Sequence, residues 1–185
     1  MPELNEFSYK KRIMKLYSEP SYVKTYDRRY NSIQREKYEI ILPYLENHPL
    51  WILDVGIGTG LFLNKVVRQW TLIGTDLSLR MLHIAKKRAK KNTNVELVLA
   101  DADYLPFKER IFQIVTTFTL LQNVPNPLKT IQELKRVSDN LVAITVLKKK
   151  INVLSLREFL KKSGVTKFNI IERESEDIFA VCYVT

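Results

Sequence analysis

Cysteine and histidine are scarce in this sequence, and their scarcity limits the metal and redox chemistry that the chain can support. The 185 residues include one cysteine, Cys182, and two histidines, His48 and His83. A single cysteine excludes an internal disulfide and a multi-cysteine metal site, and two histidines argue against a histidine zinc site. We therefore expect no metal centre. Cys182 falls in a pattern typical of a packed strand, which argues against a cysteine nucleophile.

Long hydrophobic runs are also missing. No window approaches 18 apolar residues, and the first residues carry no apolar signal region. Hydrophobic residues make up 45% of the chain, which is normal for a globular protein. The length suggests one domain with a sizeable core. We expect a cytoplasmic protein without a membrane partner.

Acidic residues are outnumbered, 20 to 30, by lysine and arginine, which gives a net charge of +10. Such an excess favours a polyanionic partner, RNA or DNA, although a lysine-rich solvated surface would have the same composition. Residues 1–30 interleave basic residues with five tyrosines: Tyr9, Tyr17, Tyr22, Tyr26 and Tyr30. This interleaving is typical of a single-stranded nucleic-acid surface. Packing of the tyrosines onto the core explains the pattern equally well.

Residues 51–60 indicate a buried strand that runs into a tight turn. The apolar run contains Asp54 near its end, and Gly56, Gly58 and Gly60 follow at alternate positions. Glycine tolerates positive φ and lets a ligand approach the backbone. The dinucleotide fingerprint G-x-G-x-x-G would require glycine at position 61, where the chain has Leu61. Asp54 would repel a pyrophosphate and suits a cationic ammonium group instead.

Two further apolar strands end next to carboxylates. Residues 71–76 end in Asp76, and residues 95–100 are followed by Asp101. Open α/β sheets bind ligands at the carboxyl ends of their strands, where an acid after the second strand accepts hydrogen bonds from ribose hydroxyls. We therefore expect the three acids to surround one nucleoside ligand.

The rest of the chain alternates helices and strands and ends in a hairpin. Hydrophobic periodicity and turn residues predict helices at 31–47, 61–69, 79–91, 127–137 and 156–164, and strands at 111–118, 141–147, 165–172 and 177–184. Residues 1–30 show no clean period, and Pro20 breaks that segment. Ser78 is placed to cap the third helix. We divide the chain into an N-terminal segment, 1–30, and a single domain, 31–185.

The glycine turn with its preceding aspartate, the acids at the next two strand ends and the Leu-Pro-Phe segment at 105–107 resemble class I S-adenosylmethionine (SAM) dependent methyltransferases. Residues 120–124 resemble a turn of the methyltransferase-11 type, which includes ubiquinone and menaquinone methyltransferases. The resemblance covers roughly residues 31–185. It implies an α/β three-layer sandwich around a seven-stranded, mostly parallel sheet with strand 7 antiparallel.

The resemblance also implies a set of cofactor-binding residues and no evident catalytic residue. Asp54 and the Gly56–Gly60 turn would hold the methionine part of SAM, and the Thr117 backbone would contact its amino group. Asp76 would bind the ribose. Leu77, Asp101 and the Ala102 backbone would bind the adenine, and the N-terminal segment would cover the cofactor as a lid through Tyr26 and Tyr30.

The methyl acceptor is harder to infer than the cofactor. The charge and the basic, tyrosine-rich N-terminus favour RNA, either tRNA or rRNA. A small molecule of the quinone type, a protein, and a SAM-binding scaffold without its own activity remain alternatives. The chain has no separate RNA-binding domain, so a small helper protein subunit could supply substrate binding or stability.

Overall fold

A seven-stranded sheet forms the centre of the protein. A computed structural model describes residues 5–44, 50–65, 70–90 and 94–184. The strands are β1 (Leu50–Val55), β2 (Trp70–Asp76), β3 (Val95–Leu99), β4 (Phe112–Phe118), β5 (Ser138–Leu147), β6 (Lys167–Glu172) and β7 (Asp177–Tyr183). Their order is β3-β2-β1-β4-β5-β7-β6, and β7 pairs antiparallel with both of its neighbours. The other pairs are parallel, which confirms the predicted fold class.

Helices cover both faces of the sheet and bury two separate cores. The helices are α1 (Glu6–Ser18), α2 (Pro20–Ile41), α3 (Leu79–Ala89), α4 (Pro127–Val137) and α5 (Val153–Lys162). Ile41 of α2 and Leu82 of α3 share one core with β1 residues such as Ile52. Leu134 of α4 and Leu160 of α5 belong to the other core. The molecule is therefore the expected three-layer sandwich.

The N-terminal region is more helical than its sequence pattern predicts. The predicted break is present, because Glu19 is extended and separates α1 from α2. However, α2 begins at Pro20 rather than at residue 31 and runs through the boundary that we drew at 30. The apolar period is weak because α1 buries none of its residues. Local signals support the helices instead: the Asn5 side chain caps α1, and proline is favoured at a first helical position.

Two other boundaries differ from the sequence prediction. A 3₁₀ helix at Leu61–Lys65 replaces the start of the predicted helix 61–69, and residues 66–69 lie outside the described ranges. Another 3₁₀ helix, Leu42–Tyr44, follows α2, which ends two residues before Pro43. Strand β5 starts at Ser138, because Ser138 pairs with Phe112 before a register shift.

The parallel strands bring their carboxyl ends to one edge of the sheet. The register pairs Val55 at the end of β1 with Thr75, and Asp76 at the end of β2 with Leu99. Because β7 is antiparallel, its first residue, Asp177, pairs with Leu147 at the end of β5. This edge, which we call the carboxyl edge, therefore runs from β3 to β7. No helix in the described part of the chain is long and apolar enough to cross a membrane.

Candidate functional site

The glycine turn after β1 is built so that only glycine fits. Gly56, Gly58 and Gly60 have φ values of 79°, 57° and 76°. The N–H groups of Gly56 and Ile57 both donate to the Thr75 carbonyl, at 2.8 and 2.9 Å, which ties the turn to β2. A Cβ on Gly60 would lie 3.2 Å from a backbone atom of α3. The turn therefore brings its backbone to the carboxyl edge without side chains in the way.

Asp76 lies next to this turn and is held by backbone groups. Its two carboxylate oxygens accept hydrogen bonds from the N–H groups of Gly58, at 2.9 Å, and Ser78, at 2.8 Å. Burial raises the pKa of the Asp76 carboxyl, although these N–H groups act in the opposite direction. The carboxylate is thus fixed in orientation where a ligand hydroxyl could donate to it.

Asp54 is the most deeply buried of the three predicted acids. It is 2% exposed, and the Thr116 hydroxyl donates to its Oδ1 at 2.9 Å. Burial raises the pKa of the Asp54 carboxyl to about 7, and Asp76 adds to this effect. Asp54 lines a small cavity of about 20 Å³ that also touches Gln34 and Gly56. A buried carboxylate without a cation gains from a ligand that supplies one.

Asp101 is engaged by a residue of α1. Lys10 places its Nζ 2.7 Å from Asp101 Oδ2 and 2.5 Å from Asp103 Oδ2. The Asp103 N–H donates to the other Asp101 oxygen at 3.0 Å. Burial alone would lower the pKa of Lys10, but the two carboxylates raise it above its ordinary value. This ion pair holds α1 against the loop that follows β3.

A cavity of about 320 Å³ runs along the carboxyl edge between the sheet and the N-terminal helices. Eight of the eleven predicted binding residues line it: Tyr26, Tyr30, Gly56, Gly58, Asp76, Leu77, Asp101 and Ala102. Asp54 lines the smaller cavity, Gly60 lines neither of the two cavities, and the wall at the end of β4 is formed by Phe118, Thr119 and Leu120. The specific cofactor contacts of all eleven residues stay predictions.

Thr117 does not line this cavity. Its side chain is fully buried in the sheet, and its hydroxyl donates to the Val55 carbonyl at 2.9 Å. Thr119, two residues further on, does line the cavity; it has a φ of 56° and donates its N–H to the Thr145 carbonyl. The contact between the Thr117 backbone and a methionine amino group therefore stays a prediction.

The tyrosines of the N-terminal helices form part of the cavity wall. Tyr17, Tyr22, Tyr26 and Tyr30 pack in sequence, with ring centroids 4.8 to 6.4 Å apart. The last three recur every fourth residue, a helical spacing that could have identified them as one face. The Tyr17 hydroxyl accepts a hydrogen bond from Asn123 at 3.0 Å. Burial raises the pKa of Tyr17 to about 12 and also raises that of Tyr26.

Polar contacts fasten these helices to the domain at several points. Asp27 accepts hydrogen bonds from Thr59 and Arg88, both at 2.6 Å. The Ser78 hydroxyl, which also caps α3 as predicted, donates to the Tyr17 carbonyl at 3.0 Å. Sequence reasoning missed these contacts and the cavity residues Lys10, Gln34 and Lys37, because contacts between distant segments leave no local pattern. The helices form a roof over the cavity.

Comparison with known proteins identifies the family of this domain. Residues 52–140, which run from within β1 to past β4 and include the three acids, match the family described as "Methyltransferase domain". The chain carries a class I SAM-dependent methyltransferase domain. SAM is the cofactor of this family, which agrees with the cofactor inferred from the glycine turn and the three acids.

Two curated relatives match part of this methyltransferase domain. A malonyl-[acyl-carrier protein] O-methyltransferase from Marinomonas sp. is 33% identical over 140 residues, which are 74% of this chain and 51% of that protein. A demethylmenaquinone methyltransferase from Staphylococcus saprophyticus is 42% identical over 89 residues, 46% of this chain and 38% of that protein. The chain thus spans about half, or less, of the length of these relatives.

Solved structures share the fold over nearly the whole chain. A SAM-dependent methyltransferase from Aquifex aeolicus matches with a TM-score of 0.70 and 20% identity, covering 95% of this chain and 98% of the other. Magnesium protoporphyrin IX methyltransferase from Synechocystis, solved with bound SAM, matches with a TM-score of 0.79, 14% identity and full coverage of both chains. A complex of a methyltransferase activator and a methyltransferase from Haloferax volcanii matches at 0.71, with 14% identity and coverage of 93% and 97%.

The site suits SAM better than a metal-dependent ligand. Within the described ranges, no group of three or more histidine, cysteine or acidic residues is placed to hold a metal ion, while His48 lies outside them. The cavity volume falls in the usual range for small-molecule sites. Asp54 is a buried acid without a cationic partner in the described structure, which fits the ammonium group of SAM. The Asp76 carboxylate, held by two backbone N–H groups, lines the same cavity.

Proposed function

We propose that this protein transfers the methyl group of SAM to a small molecule that binds in the roofed cavity. The observation that carries this proposal is the roof itself. Tyr17, Tyr26 and Tyr30 line a partly open cavity of about 320 Å³, a volume in the range of small-molecule sites. The names of the two curated relatives, a malonyl-[acyl-carrier protein] O-methyltransferase and a demethylmenaquinone methyltransferase, also favour a small acyl or quinone-type acceptor over RNA.

The residues of the chain have distinct proposed roles toward the cofactor. Asp54 pairs with the ammonium group of the methionine part, and Asp76 accepts hydrogen bonds from the ribose hydroxyls. Asp101 and Leu77 receive the adenine, and Lys10 holds α1 over that end of the cavity. Bound SAM supplies an electrophilic methyl group, so the protein mainly has to orient the acceptor and exclude water. Tyr26 and Tyr30 provide that exclusion in this proposal.

The RNA prediction gains no support from the arrangement of the tyrosines. A single-stranded nucleic-acid platform needs aromatic rings on an open surface. Tyr17 and Tyr26 instead face the cavity and are packed against neighbouring rings. The net charge of +10 remains the argument for RNA. A helper subunit remains part of the proposal because a Haloferax relative of the same fold was solved with an activator protein.

Calorimetry with SAM tests the cofactor site. We expect binding by the wild type and at least about tenfold weaker binding by Asp76→Ala, because each lost hydrogen bond to a charged group is worth about 1.5–3 kcal/mol. Asp139→Ala is the matched control, since Asp139 is exposed and pairs with Arg110 away from the cavity. No binding by the wild type, or equal binding by Asp76→Ala, would reject the site.

Transfer of tritium from methyl-labelled SAM tests the acceptor class. The purified chain is incubated with separate small-molecule, RNA and protein fractions of a cell extract. We expect label in the small-molecule fraction. Label confined to RNA or to protein would overturn the small-molecule proposal while leaving the cofactor site intact.

A further inference from the structure

The cofactor roles proposed above occupy only one end of the cavity. Asp54, Asp76 and Asp101 lie at or after the ends of β1, β2 and β3, which are adjacent at one side of the sheet. The cavity continues past β4 and reaches Leu147 at the end of β5 and Glu176 just before β7. This second part of the cavity, toward β5 and β7, is available to the acceptor. We call it the acceptor end.

A buried lysine faces the acceptor end. Lys37 of α2 lines the cavity, is 3% exposed, and places its Nζ 3.0 Å from Asp177 Oδ2. A lysine ammonium can donate three hydrogen bonds, and Asp177 accepts one of them. Asp177 itself does not line the cavity, so it contacts the Lys37 ammonium on the side away from the cavity.

Stability of the fold alone is a weak explanation for this ion pair. Burial lowers the pKa of Lys37 even though Asp177 is adjacent, and burial raises the pKa of Asp177. The burial cost of the Lys37 ammonium and of the Asp177 carboxylate is therefore not fully offset by their attraction. Buried ion pairs often contribute less to stability than apolar residues of the same volume would. A pair that is kept at the wall of a ligand cavity is better explained by a ligand that completes it.

Two amide oxygens at the cavity also lack partners. Within the described part of the chain, Gln34 Oε1 and Gln122 Oε1 are buried and find no hydrogen-bond donor, and both residues line the cavity. Gln34 lies one turn before Lys37 on α2, where its Nε2 donates to the Thr119 hydroxyl at 3.2 Å. A buried carbonyl without a donor is costly unless a ligand supplies one. Toward the acceptor end the lining therefore combines the Lys37 ammonium group and two amide oxygens with the exposed side chains of Lys149, Lys150 and Glu176.

We propose that Lys37 binds an ionised oxygen of the methyl acceptor, and that the acceptor is a small acid, a carboxylate or phenolate that also carries a hydrogen-bond donor. The proposal rests on the proposed function, because it assigns the acceptor end of the same cavity. Asp177 acts as a positioning residue for the ammonium group. Gln34 and Gln122 receive the donor of the acceptor. Leu147 and Ile33 supply apolar wall between these polar groups.

The test measures binding of simple probes to the full chain saturated with S-adenosylhomocysteine. The probes are benzoate, 4-hydroxybenzoate and hexanoate, with 4-hydroxybenzamide as the neutral counterpart. Calorimetry is run on the wild type, on Lys37→Arg, which keeps the charge, and on Lys37→Met combined with Asp177→Asn, which removes both charges and leaves no unpaired acid. Lys150→Met is the matched control, because Lys150 is an exposed lysine that also borders the cavity.

The expected result is a loss of anion binding specific to position 37. At least one carboxylate should bind the wild type more tightly than the benzamide, and its Kd should rise about tenfold or more in the double variant. Lys37→Arg and Lys150→Met should stay within about threefold of the wild type, and the benzamide should bind all variants alike. Equal carboxylate binding by the double variant would overturn the proposal, as would a wild type that binds no carboxylate better than the benzamide. A wild type that fails to bind S-adenosylhomocysteine would instead reject the proposed function.

Discussion

Replacement of Asp54 by asparagine gives a sharp test of how the site is built. Asp54 is buried under the glycine turn, and its pKa is raised from 3.8 to about 7 by burial. Asparagine has nearly the same shape and can still accept the hydrogen bond from Thr116. It cannot ionise, so the variant removes the charge while it keeps the packing. The substitution therefore isolates the free-energy cost of burying the ionised Asp54 carboxylate in the protein without SAM.

The sign and the size of the effect follow from linkage. A carboxyl with a raised folded-state pKa binds its proton more tightly in the folded than in the unfolded chain. Its contribution to stability is present below pH 3.8, is lost as the pH rises to about 7, and is fully lost above that. Each pKa unit corresponds to about 1.4 kcal/mol, so the total loss is about 4 kcal/mol. Between pH 5 and pH 8 the loss is about 3 kcal/mol.

The assay compares urea unfolding of the wild type and Asp54→Asn at pH 5 and pH 8 without SAM. The difference in unfolding free energy between the two proteins should change by about 3 kcal/mol between these pH values, in favour of the variant at pH 8. Titrating groups that do not interact with Asp54 cancel in this double difference. Asp139→Asn, at an exposed ion pair with Arg110, should track the wild type at both pH values.

Parallel pH dependence of the wild type and Asp54→Asn, to within about 0.5 kcal/mol, would refute the argument that burial of this carboxylate is costly. Saturating SAM provides a second readout at pH 8. The wild type should gain about 2.7 kcal/mol at a ligand concentration of about 100 times Kd, whereas the variant should gain much less. A variant that is stabilised by SAM as strongly as the wild type would show that Asp54 does not pair with the ammonium group.

Three further predictions concern the turn, the roof and the core. In urea titrations, Gly60→Ala should lower the unfolding free energy by about 1–2 kcal/mol more than Gly58→Ala. Both glycines have positive φ, but only a Cβ at position 60 would press against α3. Equal losses of unfolding free energy would contradict this explanation. Lys10→Met should destabilise the chain by about 2 kcal/mol, because it leaves the buried Asp103 carboxylate without its cation. It should also speed proteolytic cleavage of α1, and an unchanged cleavage rate would contradict the role of this ion pair in the roof. Iodoacetamide should leave Cys182 unlabelled in the native protein at pH 8 and label it in urea, because burial raises the pKa of this thiol to about 12; rapid native labelling would show that the last strands open.

Much of the site could be predicted from local sequence because each of its acids and glycines lies at or next to the end of one strand. Asp54, Asp76 and Asp101 follow or close apolar runs that are long enough to be buried strands, and parallel strands must bring such ends to one edge. The glycines mark the turn for the same reason, since positive φ is a local requirement. The cap of α3 by Ser78 was predictable from residue type and position.

The roof was harder to predict because its helices are polar. Helix α1 buries none of its residues, and Val23 is the one buried residue in the part of α2 before residue 31, so this region lacks the apolar period on which sequence reasoning depends. The tyrosines in this region fit two interpretations, a nucleic-acid surface or packing against the domain. Their position in the cavity wall favours the second. Only contacts between distant segments distinguish these alternatives.

The sequence by itself determined the order of the seven strands and of helices α3 to α5, the class I methyltransferase resemblance and the three acids at the strand ends. These follow from residues that are close in the chain. The tertiary structure decided which groups meet across long separations: Lys10 with Asp101, and Lys37 with Asp177. The physical reason is that the free energy of a buried charge depends on its surroundings, and those surroundings come from segments more than 90 residues apart in both pairs.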